Sequence, residues 1–347
     1  MTQAAQPDTT ARQQGAQPTP ERIFQALTAY QLTAALKAAI ELDIFSAIAG
    51  GADTAARIAE RTGASERGVR ILCDYLTVQG FLTKRDGAYG LTQEAHIFLV
   101  RQSPAYVGGM AAFLAAGSLP GAFVESFTES VRRGTTMLPD QGSMTPEHPM
   151  WEDFARGMAT MAGPSSEAIV QLTGAARMET CKVLDIAASH GVYGIAFAKA
   201  NPRAEVYACD WKNVLPFARE RAGREGVADR FHEIPGSAFD VDFGGDFDLV
   251  LVPNFFHHFD PQTNERLMRK IHAALKEGGR CVTLEFVPDE SRVAPPMEAA
   301  FALVMLGSTR AGDAYTFSEY ERMFQSAGFS RSENHPTPIQ HIIVSHK

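Results

Sequence analysis

The chain has 347 residues, 45% of them hydrophobic and 21% charged, with a net charge of −8. That length holds about two domains at ~100–200 residues each, and the composition is globular, neither collagen-like nor mostly disordered. Asp and Glu number 40 against 32 Lys and Arg, so no overall positive field makes nucleic acid or anionic lipid the default partner.

Residues 1–20, rich in Gln, Ala, Thr and Pro with Asp8 and Arg12 as their only charges, lack a basic start and an apolar core and read as a disordered tail rather than a secretory signal. Residues 21–49 read as one helix, because Phe24, Leu27, Tyr30, Leu32, Leu36, Ile40 and Leu42 recur near the 3.6 period and Gly50-Gly51 stops them. A helix from Thr54, a turn at Thr62-Gly63-Ala64 and a second helix from Ser65 to Gly80 follow. Phe81 to Leu91, folded around Asp86-Gly87, then supplies two short strands. Helix, turn, helix and β-wing make a winged helix.

A winged helix raises a DNA reading, and Arg57, Arg61, Arg67, Arg70, Lys84 and Arg85 are candidate phosphate contacts. Glu60, Glu66, Asp74 and Asp86 interrupt them, and the second helix offers little to read base edges, so a dimerisation or lid module is the better reading. The long apolar helix has more hydrophobic surface than a lone wing domain needs, as expected of a helix exchanged between subunits. From Gln102 to Val124 there is no charge. Gly108, Gly109, Gly117, Pro120 and Gly121 interrupt that run, which predicts a buried helix followed by a turn rather than a membrane span. Residues 101–178 read as mainly helical connecting structure.

From about 182 onward apolar strands alternate with helices: Lys182–Ala187, Ala204–Cys209, Phe231–Ile234, Phe247–Pro253, Gly279–Val287 and a last, antiparallel edge strand at Gln340–Val344. The helices fall at 193–200, 213–225 and 261–276, the last closed by Glu277-Gly278-Gly279. This alternation predicts an α/β domain with a doubly wound, mainly parallel sheet. Cys73, Cys181, Cys209 and Cys281 sit far apart in apolar stretches, which fits buried free thiols in a reduced, cytoplasmic protein with no cysteine metal motif.

The first strand of this domain runs through Asp185 into Ala187-Ala188-Ser189-His190-Gly191. A tight glycine turn from strand to helix aims backbone N–H groups at a ligand. Ser189-x-Gly191-x-x-Gly194 is a degraded dinucleotide fingerprint, and Asp210, about twenty residues on, is where a ribose-binding carboxylate belongs, so a nicotinamide enzyme is one reading. Two features tilt against it. Asp185 suits a ligand ammonium better than a pyrophosphate, and no second mononucleotide half follows the third strand. His257 lies just past the fourth strand, beside the first, at the switch point where open α/β sheets bind ligands, and an imidazole there suits general-base work.

Taken together, Asp185 with the Gly191 turn, Asp210, Gly236-Ser237-Ala238-Phe239, the stretch Asn254 to Asp260 and Glu285, behind a winged-helix front, resemble the S-adenosylmethionine-dependent small-molecule O-methyltransferases over about residues 22–347. The resemblance takes in caffeate-type plant enzymes and bacterial natural-product enzymes. It implies a Rossmann-like class I methyltransferase sheet over 179–347, an N-terminal mainly helical winged-helix dimerisation domain over 21–100, a helical linker with acceptor-pocket helices over 101–178, and a homodimer. By the same resemblance Ala187, Ser189 and Gly191 line the methionine part of the cofactor, Asp210 takes its ribose, and Trp211 with Ser237, Ala238 and Phe239 flanks its adenine. Asn254 joins that set. His257 matches the general base, Glu285 the carboxylate that orients it, and His258 and Phe259 stand where the family has Asp and Trp. A second family glutamate falls at Ala314, beside Asp313. Phe154, Met158, Met161, His258, Phe301, Met305 and Met297 would wall an acceptor pocket for a flat aromatic, with Phe255-Phe256 near the sulfonium.

The implied activity is methyl transfer from S-adenosylmethionine to a hydroxylated aromatic or polyketide-like molecule, leaving S-adenosylhomocysteine, with no metal, nucleic acid or membrane. A phenol of pKa ~10 needs deprotonation to attack. Ala187 and Ser189 at glycine positions, Ser237 in place of Asp, His258 and Ala314 leave carbon or nitrogen methylation, or cofactor binding without transfer, as alternatives. A winged-helix regulator sensing a nucleotide is the reading from another class.

Overall fold

The computed structural model describes residues 18–115 and 118–347, so most of the expected N-terminal tail lies outside the described residues. The described chain divides into two compact units that meet between His96 and Ile97.

In the first unit the expected single helix over 21–49 is two helices, Glu21–Glu41 and Ile44–Ala49. They part at Asp43, whose φ of 56° is left-handed, a conformation its short polar side chain tolerates. Thr54 and Ser65 cap the next two helices, Ala55–Thr62 and Glu66–Val78, through their hydroxyls on the amides of Arg57 and Gly68. Strands β1 (Leu82–Arg85) and β2 (Ala88–Leu91) pair antiparallel around Asp86-Gly87, both at positive φ. Ile44, Phe45, Ile58, Val69, Cys73, Leu76, Leu82 and Tyr89 are buried in this unit. Of the basic residues considered above, Arg57 pairs with Asp53, and Arg70 and Lys84 both pair with Asp74. Ile23, Phe24, Leu27 and Tyr30 form an exposed apolar stripe on the first helix.

In the second unit the uncharged run is no buried helix. It holds a 3-10 turn at Gly108–Met110 and short helices Ala111–Leu114 and Ser118–Val124, with Leu114 and Val124 exposed. Gly108 and Gly109 sit in the 3-10 turn, whereas Pro120 and Gly121 lie within the second short helix. No helix among the described residues is long and apolar enough to cross a membrane.

The sheet has seven strands: β3 (Cys181–Ile186), β4 (Ala204–Asp210), β5 (Phe231–Pro235), β6 (Phe247–Pro253), β7 (Leu275–Glu285), β8 (Arg331–Pro336) and β9 (His341–His346). Their order is β5-β4-β3-β6-β7-β9-β8, with β8 and β9 the antiparallel members. Two expectations are corrected. The last strand is interior, because β8 covers its far side; Arg-Ser-Glu-Asn-His-Pro has no apolar alternation to announce an edge strand. Glu277-Gly278-Gly279 does not stop the preceding helix, which ends at Ala274. Those residues bulge out of β7, since Phe247 faces Leu275 while Leu249 faces Arg280.

Strand order reverses between β3 and β6, so the C-terminal ends of both open onto one crevice. Helix Val192–Ala200 packs close to this point, and a Cβ on Gly194 would fall 2.6 Å from Val206 Cγ1 and 2.9 Å from Asp185 Oδ2. Gly194→Ala should therefore destabilise the protein by about 1–3 kcal/mol through overpacking. Thermal unfolding at the wild-type temperature would show that the helix has room this packing denies.

Candidate active site

The turn after β3 is built on two buried carboxylates. Asp185 accepts the Gly194 N–H at 2.9 Å through Oδ2, which caps the following helix, while its buried Oδ1 has no partner. Asp210 accepts the N–H groups of Ser189 and Trp211, each at 2.7 Å. Burial pushes the Asp185 carboxyl up to about 7 and Asp210 up to about 6 against the pull of these backbone bonds. Ala187 and Ser189 hold φ of 55° and 49°, and Gly191 73°, so the chain keeps a glycine-type turn with side chains at two of its positions. The Ser189 hydroxyl is also buried without a partner. An unfilled carboxylate oxygen and hydroxyl beside a helix N-terminus fit a ligand that brings an ammonium and hydroxyl groups.

On the other side of the crevice, β6 runs into a 3-10 turn, Phe256–His258. Glu285, the last residue of β7 and fully buried, accepts the N–H groups of Phe255 and Phe256 at 3.1 and 2.9 Å through Oε1. Its Oε2 lies 2.6 Å from His257 Nδ1. The turn is pinned from outside as well. Asn264 Nδ2 donates to the Phe256 carbonyl at 2.9 Å, Asp313 N to the His257 carbonyl at 3.0 Å, and the Tyr315 hydroxyl to the Phe259 carbonyl at 2.6 Å. With Nδ1 facing a carboxylate, the network assigns the ring proton to Nδ1 and leaves Nε2 a free acceptor.

Aromatic rings line the approach to this pair. Phe301 meets the His257 ring edge-on at 4.8 Å and stacks on Phe286 at 4.1 Å. His258, buried and held well below the usual imidazole range by that burial and by His257, lies 5.5 Å from Trp151. Trp151 packs on Phe113 and Phe154, and Phe154 stacks 6.2 Å from His190. Phe154, His258, His257 and Phe301 are thus linked through one run of rings. Trp151, Phe113, Phe286 and His190 are additions that the sequence reading missed. Trp151, three residues before Phe154 on the helix Met150–Gly157, was findable from helical spacing, and His190 stood inside the turn already singled out.

The other expected residues take several positions. Phe255 and Phe256 diverge: Phe256 is buried against Phe324, while Phe255 faces Phe239 and Phe259. Asn254 follows β6 with a φ of 55°. Its Oδ1 accepts from Gln340 Nε2 just before β9, on the flank of β6 opposite β3. Met161 and Met297 are exposed, Met158 is half-buried, and Met305 is buried. Ser237 Oγ accepts the Phe239 N–H at 3.2 Å, Ala238 is buried, and Trp211 is half-buried with its amide on Asp210. Ala314 is fully buried, and Asp313 does not replace the missing glutamate, since its carboxylate faces its neighbour's amide and Arg292. Among the described residues no cluster of three His, Cys, Asp or Glu could hold a metal ion.

The chain is similar to known methyltransferases. A model of the O-methyltransferase dimerisation domain matches residues 24–101, and a methyltransferase-domain model matches residues 184–281. A solved chain from Nostoc punctiforme, provisionally named an O-methyltransferase, is 47% identical over 95% of this chain and 100% of its own, with a TM-score of 0.92. The 3-hydroxy-5-methyl-1-naphthoate 3-O-methyltransferase of Streptomyces sahachiroi is 29% identical over 90% of each chain. PigF, solved with SAH, is 25% identical over 95% of this chain and 100% of its own, with a TM-score of 0.83.

The left-handed backbone at Ala187 yields one test independent of ligand. Relief of an αL alanine, worth ~1–2 kcal/mol, offsets the extra chain entropy that glycine loses on folding, ~0.5–1 kcal/mol. Ala187→Gly should be at least as stable as the wild type in denaturant unfolding; a loss of about 1 kcal/mol, the ordinary cost of the exchange, would mean the turn carries no such strain.

Proposed function

The chain belongs to the S-adenosylmethionine-dependent O-methyltransferases of the bacterial natural-product type, and on that premise we propose that it methylates a phenolic hydroxyl of an aromatic, polyketide-like small molecule with His257 as general base. The 2.6 Å contact between His257 Nδ1 and the fully buried Glu285 carries this reading. Glu285 fixes the tautomer, so Nε2 takes the phenol proton, and the carboxylate stabilises the imidazolium that results. S-adenosylmethionine, when bound, supplies an electrophilic methyl group. The rings of Phe301, His258, Trp151 and Phe154 would hold a flat acceptor against Nε2 and keep water from it.

On the cofactor side Asp185 Oδ1 would receive the ammonium and Ser189 a polar group of the methionine part. Asp210 would take the ribose hydroxyls on the lone pairs its two amide bonds leave free. Gly191 lets the backbone approach, and Trp211, Ser237, Ala238 and Phe239 would flank the adenine. Met158 and Met305 complete the acceptor walls as packing. The dimerisation domain and the exposed stripe of Ile23, Phe24, Leu27 and Tyr30 support a homodimer joined through that domain, and four buried, unbridged thiols support a reducing, cytoplasmic setting.

Replacing His257 by Ala should lower turnover by about 10²–10⁴ while leaving S-adenosylhomocysteine affinity within about twofold, as expected for a group that acts only on the proton. Labelled methyl donor with a panel of hydroxynaphthoates and related phenols, read by mass spectrometry and NMR, gives both the rate and the atom methylated; undiminished transfer by the variant removes His257 from the mechanism.

The carboxylates of the cofactor turn give a pH signature. With Asp185 raised to about 7 and Asp210 to about 6, lowering the pH neutralises groups that must be ionised to hold an ammonium and hydroxyls. S-adenosylhomocysteine should bind about tenfold more weakly at pH 6 than at pH 8. A flat calorimetric profile over that range would take the ligand away from both carboxylates.

A further inference from the structure

Helix Pro296–Ser308 turns toward the crevice a face that is apolar except at one position. Met305 is buried on it, and Phe301 rests on the His257 ring. Three residues before Phe301, and therefore one turn along the same face, stands Glu298, only 5% exposed. No hydrogen bond or ion pair joins its carboxylate to any described residue. His341 feels its charge but does not answer it. Asn334 Oδ1 lies 2.9 Å from His341 Nδ1, and burial lowers that imidazole's pKa although Glu298 pulls the other way. His341 faces Glu285 across the β7–β9 ladder, so Glu298 looks onto the same end of the sheet as the His257–Glu285 pair.

The chain encloses this side chain and gives its carboxylate no donor, so a hydrogen bond to it must come from outside the chain. Its place in the first helical turn suits a negative charge. We infer that Glu298 is an acceptor subsite: it accepts a hydrogen bond from a second hydroxyl or N–H on the aromatic ring system whose reacting hydroxyl lies at His257. This rests on the methyltransferase reading above. It assigns the acceptor class as aromatics with at least two donors. Because the missing partner belongs to the ligand, a monohydroxylated analogue leaves the carboxylate unpaired and is rejected.

Two measurements on the full chain test the assignment. In the first, 1,3-, 2,3- and 2,7-naphthalenediol and their monomethyl ethers are titrated calorimetrically into protein saturated with S-adenosylhomocysteine. The wild type should prefer at least one diol to its ether by tenfold or more, and Glu298→Ala should bring that preference to within about twofold of unity with S-adenosylhomocysteine affinity unchanged. An equal preference in both proteins overturns the inference, as does its absence from the wild type, failure to bind any probe included. In the second, the ligand-free Glu298→Gln variant should unfold at or above the wild-type temperature, since it relieves an unfilled carboxylate; a charge retained only for the helix terminus would make it melt lower, and that result also overturns the inference. Loss of S-adenosylhomocysteine binding by the wild type, or undiminished transfer by His257→Ala, would instead count against the methyltransferase reading itself.

Discussion

Three donors converge on the carboxylate of Glu285: the amides of Phe255 and Phe256 and the imidazole of His257. Because Glu285 is fully buried at the end of β7, those donors are what satisfies its oxygens, and removing one leaves a buried polar group short of a partner. The shape of the turn after β6 follows from this demand. Its backbone must fold so that two consecutive N–H groups and the next residue's ring face a single point, which sends the Phe256 side chain into the core and the Phe255 side chain toward Phe239. Asn264, Asp313 and Tyr315 then hold the carbonyls on the outer side of the turn. The proposed catalytic geometry and the local folding are here the same set of hydrogen bonds.

The sheet brings the second half of the site within reach. Asp185 in β3 pairs with Leu251 in β6, so the cofactor turn and the histidine turn leave adjacent strands about 4.8 Å apart in opposite topological directions. The β3 turn keeps this position at a conformational cost. With Ala187 and Ser189 at positive φ, the Asp210 bond to the Ser189 amide holds a backbone shape that glycine would adopt freely. A charge-assisted bond of that kind, worth about 1.5–3 kcal/mol, is enough to offset one strained residue.

What could be read in the sequence was whatever repeats or punctuates. The winged-helix caps, the Asp86-Gly87 turn and the apolar strands from Cys181 to Glu285 obey local rules, and the structure keeps them. Asp185, Asp210, His257 and Glu285 could be singled out as candidates because strand ends at a sheet reversal are where open α/β sheets bind ligands. Long-range packing was not legible. Strand β8 is polar because only one of its edges and part of one face are covered. The break at Asp43 depends on a backbone angle without a compositional mark, and the bulge at 276–279 uses glycines that equally mark a helix end. Asn254 was drawn to the cofactor by its neighbours in sequence, yet its side chain belongs to Gln340, a residue far along the chain. Trp151 and Phe301 come from different helices, and only the fold makes them walls of one crevice.

The carboxylates at this end of the sheet differ in how far the protein satisfies them, and that order tracks the role proposed for each. Glu285 has three donors, Asp210 two and Asp185 one, while Glu298 has none among the described residues. None of the four is paired with a lysine or arginine of the described chain. A cation fixed beside any of them would have lowered the cost of burial, but it would also have neutralised the group toward a ligand. Full satisfaction is what a residue that must orient another needs, since its bonds have to survive every turnover. Partial satisfaction is what a residue that must receive a ligand needs, because the affinity it contributes is the bond it still lacks. Acidity follows the same gradient on the cofactor side, with Asp185 raised further than Asp210. The crevice therefore stores its capacity for binding as unmet hydrogen-bond demand, least at Glu285 and greatest at Glu298.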